Sequence, residues 1–154
     1  MLLTETATTI NLITPIPGPK GQAILARRVA ALPAGSARAT DVVVESASGA
    51  VVKDVDGNTF LDFAGGIGIA NVGHSPETVV NAVKAQLDKF IHTCAIVTTF
   101  EPFIELAEML HEITPGDFAK KTLFANAGAE SVENAVNIAK YYTKRPAVIV
   151  FASG

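Results

Sequence analysis

The 154-residue sequence is poor in cysteine, in aromatic residues and in charge, and it has no long hydrophobic run. Its single cysteine, Cys94, excludes an intrachain disulfide framework. With 12 basic and 15 acidic residues the formal net charge is -3, which excludes the basic surface that nucleic-acid phosphates require. The longest apolar stretches, 63–70 and 147–152, are far short of the ~20 residues of a membrane span. We therefore expect neither a nucleic-acid partner nor a membrane partner.

The start of the chain also lacks the basic region of a secretory signal peptide, because Glu5 is the only charged residue in residues 1–19. We expect a cytoplasmic protein on this basis. The hydrophobic fraction of 49% and the charged fraction of 18% are typical of a folded domain and not of a disordered chain.

Prolines and glycines divide the first part of the chain into short segments. Residues 1–40 indicate an arm followed by a short helix over 22–32, with regular structure blocked from Pro15 to Gly21. Residues 42–64 indicate an antiparallel meander with turns at 46–49 and at Asp56-Gly57-Asn58. Asp-Gly between apolar runs is a strong hairpin signal, because glycine accepts a positive φ without steric cost.

Two helices are predicted next, and the first of them completes a segment that we place at 41–100. The first begins at Ser75-Pro76-Glu77, with a serine cap, a proline and an acid in the first turn. Its apolar residues recur at helical spacing as far as Ile91. The second spans 101–113 and ends at Pro115-Gly116.

Residues 101–154 are predicted to begin a larger α/β domain that remains incomplete here. Strands over 122–125 and 147–152 flank a helix over 131–144. Strand, helix and strand in this order form a βαβ unit, which normally makes a right-handed parallel crossover. A parallel pair cannot cover itself, so we expect an interrupted larger fold.

The segment Asn126-Ala127-Gly128-Ala129-Glu130-Ser131 is the strongest candidate for a binding site. Small residues permit close approach by a ligand, and free N–H groups in the first turn of the next helix attract phosphate. An ordinary tight turn explains the same residues equally simply. Glu130 and Glu133 suit the helix dipole but would compete with a bound anion.

The glycines at Gly65-Gly66-Ile67-Gly68 do not form a dinucleotide fingerprint. Asn71 stands where the third glycine belongs, and no helix is expected to open at once. Lining of a pocket and a simple bend after the meander both remain open. The histidines have no metal-ligand spacing, so we predict no metal site, and His74 is interpreted as a hydrogen-bonding residue at the start of a helix.

Several motifs, in chain order, resemble the N-terminal part of class III pyridoxal-phosphate-dependent aminotransferases, and within that class 4-aminobutyrate aminotransferases. The motifs are Pro17-Gly18-Pro19-Lys20, Asp54-Val55-Asp56-Gly57, Leu61-Asp62-Phe63-Ala64-Gly65-Gly66-Ile67, Gly73-His74, His92-Thr93-Cys94, Pro115-Gly116-Asp117-Phe118-Ala119-Lys120-Lys121-Thr122 and Val132-Glu133-Asn134-Ala135-Val136.

The resemblance implies the N-terminal part of an α/β, fold-type-I transferase that is homodimeric, with active sites at the subunit interface. The reaction would move an amino group from an ω-amino acid such as 4-aminobutyrate to 2-oxoglutarate, with pyridoxal phosphate as cofactor. By position, the N–H groups of Gly128 and Ala129 would hold the cofactor phosphate, and Ile67 would line the substrate pocket.

The sequence departs from the family in its loop and in its catalytic residues. Ala127 replaces a serine and Ser131 an alanine, which displaces a hydroxyl from the phosphate. The resemblance places the family's His-Gly-Arg motif just after Gly154, and these 154 residues contain neither that motif, nor the aspartate for the pyridine nitrogen, nor the cofactor-binding lysine. We therefore assign no catalytic residue and expect an N-terminal piece that is inactive alone; Lys121 would be the first candidate if a cofactor adduct formed. A non-enzymatic interaction module and a fragment that binds a phosphate ligand are the alternatives.

Overall fold

The computed structural model describes residues 10–152, so the first nine residues of the predicted arm lie outside the described residues. The chain divides into two compact units, Met1–Ile91 and His92–Gly154. The described residues combine five helices with one small antiparallel sheet, which confirms the α/β class.

The first helix, α1, spans Pro19–Ala31 and begins earlier than the sequence predicts. Proline is favoured in the first helical turn, since its missing N–H needs no partner there and its φ already suits a helix. The expectation that Pro19 and Gly21 block regular structure was therefore wrong. The helix ends before Pro33, as predicted.

Three short strands form the predicted meander: β1 (Val44–Ser48), β2 (Val51–Asp54) and β3 (Thr59–Leu61), paired antiparallel in that order. The second turn lies where predicted, with Gly57 at φ 94°. The first was misplaced, because residues 46–48 belong to β1 and the chain reverses at Gly49, which has φ 55°. Glycine takes this left-handed conformation without a Cβ clash, and serine does not.

A four-residue helical turn, α2 (Gly65–Gly68), and the helix α3 (Glu77–Leu87) complete the first unit. The start of α3 confirms the prediction, but Ser75 is not its cap. Pro76 occupies the N-cap position with extended backbone, and Ser75 has φ 50°. A left-handed residue one step further out cannot direct its hydroxyl as an N-cap does.

The second unit contains α4 (Glu101–Ile113), which has the predicted bounds, and α5 (Gly128–Thr143), which begins earlier than predicted. The ring of Phe103 on α4 packs against Phe124, with centroids 4.7 Å apart and planes inclined by 55°. This aromatic pair attaches the segment before α5 to α4.

The predicted strands over 122–125 and 147–152 do not form, so the βαβ unit is absent from the described residues. A strand exists through hydrogen bonds to a neighbouring strand. These two segments pair neither with each other nor with another described segment, although their composition favours strands. The sequence correctly indicated a preference for strand, but the described chain provides no neighbouring strand with which these segments could pair.

The buried residues of the described chain are few and mostly polar. No hydrophobic residue in residues 10–152 is buried, whereas Asp54 is 2% exposed and Asn58 is fully buried. Gly18 and Gly21 are buried beside them. The closest packing therefore lies where the turn after β2 meets α1. Within the described part of the chain, no helix combines the length and apolar character needed to cross a membrane.

Candidate functional site

The N-terminus of α5 carries the residues that the sequence selects for phosphate. Ala127 is the N-cap with extended backbone (φ -147°, ψ 157°), and Gly128 and Ala129 are the first two helical residues. The sequence placed them in a loop before the helix; the structure places them in its first turn. Ser131 donates its N–H to the Ala127 carbonyl at 3.1 Å, and this is the first hydrogen bond within the helix. The preceding N–H groups have no acceptor within the helix.

Side chains leave space at this helix end. A Cβ added at Gly128 would contact nothing within 4 Å, and its neighbours Ala127 and Ala129 contribute only methyl groups. N–H donors, a positive helix end and open space suit a phosphate group. The residues present therefore fit the phosphate of pyridoxal phosphate.

The acidic and hydroxyl side chains of this turn are bonded to the backbone. The Glu130 Oε2 accepts the Asn126 N–H at 2.8 Å, and the Ser131 hydroxyl donates to the Ala127 carbonyl at 3.2 Å. The Ser131 hydroxyl thus satisfies a backbone oxygen and does not replace the hydroxyl that the family places at position 127. A phosphate at this helix end would therefore be held by backbone N–H groups alone.

Ile67, the predicted pocket residue, lies in the first unit within α2. Four consecutive residues there have positive φ: Gly65 at 52°, Gly66 at 62°, Ile67 at 58° and Gly68 at 81°. The sequence predicted no helix here, and the structure shows one turn of left-handed residues instead. A left-handed backbone costs an L-residue roughly 1–2 kcal/mol. Three of the four positions are glycines, for which this cost does not arise. Ile67 adopts the conformation at that cost, and it is 95% exposed.

Asp62 holds the start of this turn. Its Oδ1 accepts the N–H groups of Ala64 and Gly65, both at 2.9 Å, and its Oδ2 accepts a hydrogen bond from His74 Nε2 at 2.6 Å. The His74 side chain is 27% exposed and the Asp62 side chain 15%. The hydrogen bond from His74, and then that from the Gly65 N–H, lower the pKa of Asp62 below its usual value. The carboxylate is therefore ionised at neutral pH.

His74 is in turn attached to the sheet. It exchanges two backbone hydrogen bonds with Gly49, of 2.8 and 2.9 Å. A Cβ at its neighbour Gly73 would lie 3.1 Å from the Gly49 backbone. The sequence interpreted His74 as a partner for the start of α3; its side chain instead bonds Asp62, because the chain folds back from α2 onto the hairpin.

Two of the predicted residues lie in the same turn of one helix. Gly128 and Ala129 share the first turn of α5 in the second unit, and Ile67 lies in the first unit. Lys121, the alternative adduct position, is exposed in the second unit. In residues 10–152 no group of three potential metal-ligating side chains comes together.

Sequence reasoning missed Asp62 as a residue that shapes the site. The available signal was its position three residues before the glycine run, where aspartate characteristically accepts N–H groups further along the chain. It also missed the pairing with His74, since no local rule relates residues twelve positions apart.

With this geometry established, the chain can be compared with known proteins. The sequence profile of the class-III aminotransferases matches residues 33–154. The chain belongs to the class-III aminotransferase family. It is 46% identical over 141 residues to 4-aminobutyrate aminotransferase of Mycobacterium tuberculosis H37Rv, covering 92% of this chain and 31% of that protein. It is 46% identical over 133 residues to 5-aminovalerate aminotransferase of Pseudomonas putida KT2440, covering 86% and 31%.

Two solved aminotransferase structures show the same architecture. An omega-transaminase from Sphaerobacter thermophilus superposes with a TM-score of 0.76 at 30% identity, over 86% of this chain and 30% of that one. Taurine:2-oxoglutarate aminotransferase from Bifidobacterium kashiwanohense, in complex with pyridoxal phosphate and glutamate, gives 0.73 at 26% identity, over 89% and 30%. The chain spans about a third of the length of the relatives that it matches.

Proposed function

We propose that this chain is the N-terminal segment of a pyridoxal-phosphate-dependent aminotransferase that moves an amino group from an ω-amino acid, such as 4-aminobutyrate, to 2-oxoglutarate. The observation that carries the proposal is the N-terminus of α5, whose free N–H groups and open space fit the cofactor phosphate in a chain of this family. Relatives named for 4-aminobutyrate and 5-aminovalerate support an ω-amino acid as donor.

Each selected residue has a specific task in this proposal. Gly128 and Ala129 hold the phosphate through backbone N–H groups and so fix the position of the cofactor. Pyridoxal phosphate, when bound, supplies the electron sink that amino-group transfer requires. Ile67 forms an apolar wall of the donor pocket and excludes water from it. No described residue is assigned the proton transfer, so these 154 residues alone should have no transaminase activity.

The domain and assembly proposals follow from the same family resemblance. We propose an arm and short helix over 1–40, a meander and helix over 41–100, and the start of the cofactor-binding domain over 101–154. We also propose a cytoplasmic homodimer. Apolar side chains around α2 support a covered surface there, since Phe63 is 94% exposed and Ile69 83% exposed.

A panel of amino donors tests the activity. The full-length gene product is assayed with 2-oxoglutarate and either 4-aminobutyrate, 5-aminovalerate or alanine, and glutamate is measured. Glutamate formation with the two ω-amino acids and little with alanine is expected. An enzyme that uses only alanine, or that uses no donor when loaded with pyridoxal phosphate, contradicts the proposal.

Borohydride reduction tests the segment itself and distinguishes the alternatives. The 154-residue chain is mixed with pyridoxal phosphate and reduced, and its intact mass is measured. An unmodified chain of 16.0 kDa is expected. A stoichiometric pyridoxyl adduct on one lysine would show a covalent site within these residues, with Lys121 the first to map. The phosphate-binding alternative predicts two results together. The protein binds pyridoxal phosphate saturably without forming an adduct on reduction, and the full-length product transfers no amino group.

The interaction module is the second candidate, and the exposed apolar residues around α2 favour it. It predicts that the full-length product forms a stable complex with a partner protein and neither binds pyridoxal phosphate nor transfers an amino group. Amino transfer by the purified product contradicts it.

A further inference from the structure

We propose that Asp62 and His74 are a pair of positioning residues, which hold Ile67 in its left-handed conformation and thereby set the shape of the amino-donor pocket. The inference rests on the proposed function in one respect, that Ile67 faces the donor. Neither member of the pair touches the reacting atoms in this proposal. They act through the backbone of α2.

Ile67 needs contacts that hold it in its left-handed conformation. A β-branched residue with φ 58° is unfavourable in isolation, because its Cβ crowds the following carbonyl oxygen. Hydrogen bonds within the turn provide part of the restraint: the Ile67 N–H bonds the Ala64 carbonyl at 2.8 Å, and the Ile69 N–H bonds the Gly65 carbonyl at 2.9 Å. A glycine-rich turn has many other conformations available, so these bonds need an anchor.

Asp62 provides this anchor. One carboxylate oxygen accepts two successive N–H groups, those of Ala64 and Gly65, at the point where φ first becomes positive. These two bonds fix the direction in which the left-handed run begins. Removal of the carboxylate would leave both N–H groups to solvent, and the direction of the turn would no longer be fixed.

His74 fixes the Asp62 carboxylate in place. Its Nε2–H occupies the other oxygen at 2.6 Å, and its own backbone is tied to Gly49 beside the hairpin. Asp62 therefore has one orientation, defined by the sheet. The connection runs from Gly49 through His74 and Asp62 to the backbone that carries Ile67, and every contact in it lies within the first unit.

The pair explains why a strained residue stands between glycines. A fourth glycine at position 67 would remove the strain but also the side chain that meets the donor. A restrained isoleucine keeps a rigid apolar surface at a defined place, which is what discrimination between donors of different chain length requires.

Four variants of the full-length protein test the pair. His74→Phe keeps a flat ring but removes the Nε2–H donor, and His74→Gln restores an N–H donor at similar reach. Asp62→Ala removes all three bonds. His92→Phe, an exposed histidine of the second unit, is the matched control. For each variant kcat and KM are measured with 4-aminobutyrate and with 5-aminovalerate. The position of the Ile67 δ1-methyl resonance is measured by isotope labelling.

The expected result is a shift of the Ile67 resonance in His74→Phe and Asp62→Ala. It is accompanied by a rise in KM for the amino donor of about tenfold with kcat changed much less. His74→Gln should restore both readouts, and His92→Phe should leave both unchanged. Should Asp62→Ala not fold, the His74→Phe and His74→Gln comparison decides alone. A general loss of stability would lower the amount of active enzyme and would not move KM.

Two results would overturn the proposal. One is an unmoved Ile67 resonance in His74→Phe; the other is a moved resonance in an active enzyme whose donor KM is unchanged. A wild-type protein that transfers no amino group from any donor would refute the proposed function, and the resonance would still decide whether the pair positions Ile67.

Discussion

The side-chain amide of Asn58 donates a hydrogen bond of 2.7 Å to the carboxylate of Asp54, and both residues are almost completely buried. The Asn58 Oδ1 accepts the N–H groups of Ile13 and Thr14 at 2.7 and 2.9 Å. One turn residue thus joins the segment before α1 to the hairpin. In the described chain, this polar cluster occupies the place that apolar side chains fill in most domains.

Asn58→Ala should therefore lower the free energy of unfolding by about 3 kcal/mol, since it leaves the part-buried N–H groups of Ile13 and Thr14 and a buried oxygen of Asp54 without their partner. Denaturant unfolding of the purified protein measures the change. Asn81→Ala on the exposed side of α3 is the control and should stay within about 0.5 kcal/mol. Equal stability of the two variants would show that water replaces Asn58 at no cost.

The contact between Gly18 and Asp56 yields a steric prediction. The Asp56 carboxylate accepts the N–H groups of Lys20 and Gly21 at the N-terminus of α1, both at 2.8 Å, and a Cβ on Gly18 would lie 2.5 Å from its Cγ. Gly18→Ala should displace the carboxylate and cost about 1–3 kcal/mol.

Gly35→Ala is the matched control for this substitution, because a Cβ at Gly35 meets nothing within 4 Å. It should be neutral or stabilising by up to about 1 kcal/mol, through the lower entropy of the unfolded chain. The thermal midpoints of the two variants give the comparison. A Gly18→Ala protein as stable as Gly35→Ala would mean that Asp56 does not hold α1.

These two clusters show what the sequence could and could not predict. The turn at Asp56-Gly57-Asn58 and the bounds of α4 follow from local rules, and both are observed. The hydrogen-bond partners of the Asp56 carboxylate do not follow from local rules, because Lys20 lies 36 residues away and no periodicity relates the two residues. The strands predicted at 122–125 and 147–152 do not form, for a related reason. Composition favours a strand, but pairing with a neighbouring strand decides whether one forms.

The candidate site divides in the same way. Small residues ahead of a helix drew attention to Gly128 and Ala129, but the sequence placed them in a loop before Ser131, and the helix in fact begins at Gly128. The left-handed run at Ile67 was not predictable, because isoleucine disfavours that conformation and only the contacts of Asp62 with the turn make it intelligible.

Acid should destabilise the first unit through Asp54. Burial raises the pKa of Asp54, but the hydrogen bonds from Asn58, Asp56 and Gly57 together outweigh it and hold the pKa below its usual value. The folded protein binds fewer protons at this group than the unfolded chain. The stabilisation is complete above the ordinary pKa of aspartate, about 3.9, and is lost as the pH falls through the lower folded value.

Unfolding in urea between pH 7 and pH 3 measures this dependence. We expect the wild type to lose stability below about pH 4 and Asp54→Asn to lose less over the same interval, starting from a lower value at pH 7. Exposed Asp117→Asn is the control and should follow the wild type. Parallel curves for the wild type and Asp54→Asn would contradict the role of Asp54.

Gly128→Pro tests the phosphate site without disturbing the helix. Proline is favoured at the first helical position, and the extended backbone of Ala127 (ψ 157°) suits a residue before proline. The substitution removes one N–H donor, and a hydrogen bond to a charged group contributes about 1.5–3 kcal/mol. We expect the affinity of the full-length protein for pyridoxal phosphate to fall about tenfold or more.

Gly128→Ala is the matched control, because it adds a Cβ into open space and keeps the N–H. Its cofactor affinity should stay close to that of the wild type, and both variants should unfold at the wild-type temperature. Equal affinity of the proline and alanine variants would place the phosphate elsewhere.

The contact of Gly73 with Gly49 has an evolutionary consequence. Gly49 requires only a positive φ, since a side chain there meets nothing within 4 Å, whereas Gly73 combines a φ of 82° with a neighbouring backbone at 3.1 Å. Asparagine and aspartate visit the left-handed region at modest cost. Position 49 is therefore free to drift among glycine, asparagine and aspartate during divergence of the family, while position 73 is fixed as glycine for as long as the chain folds back onto its hairpin.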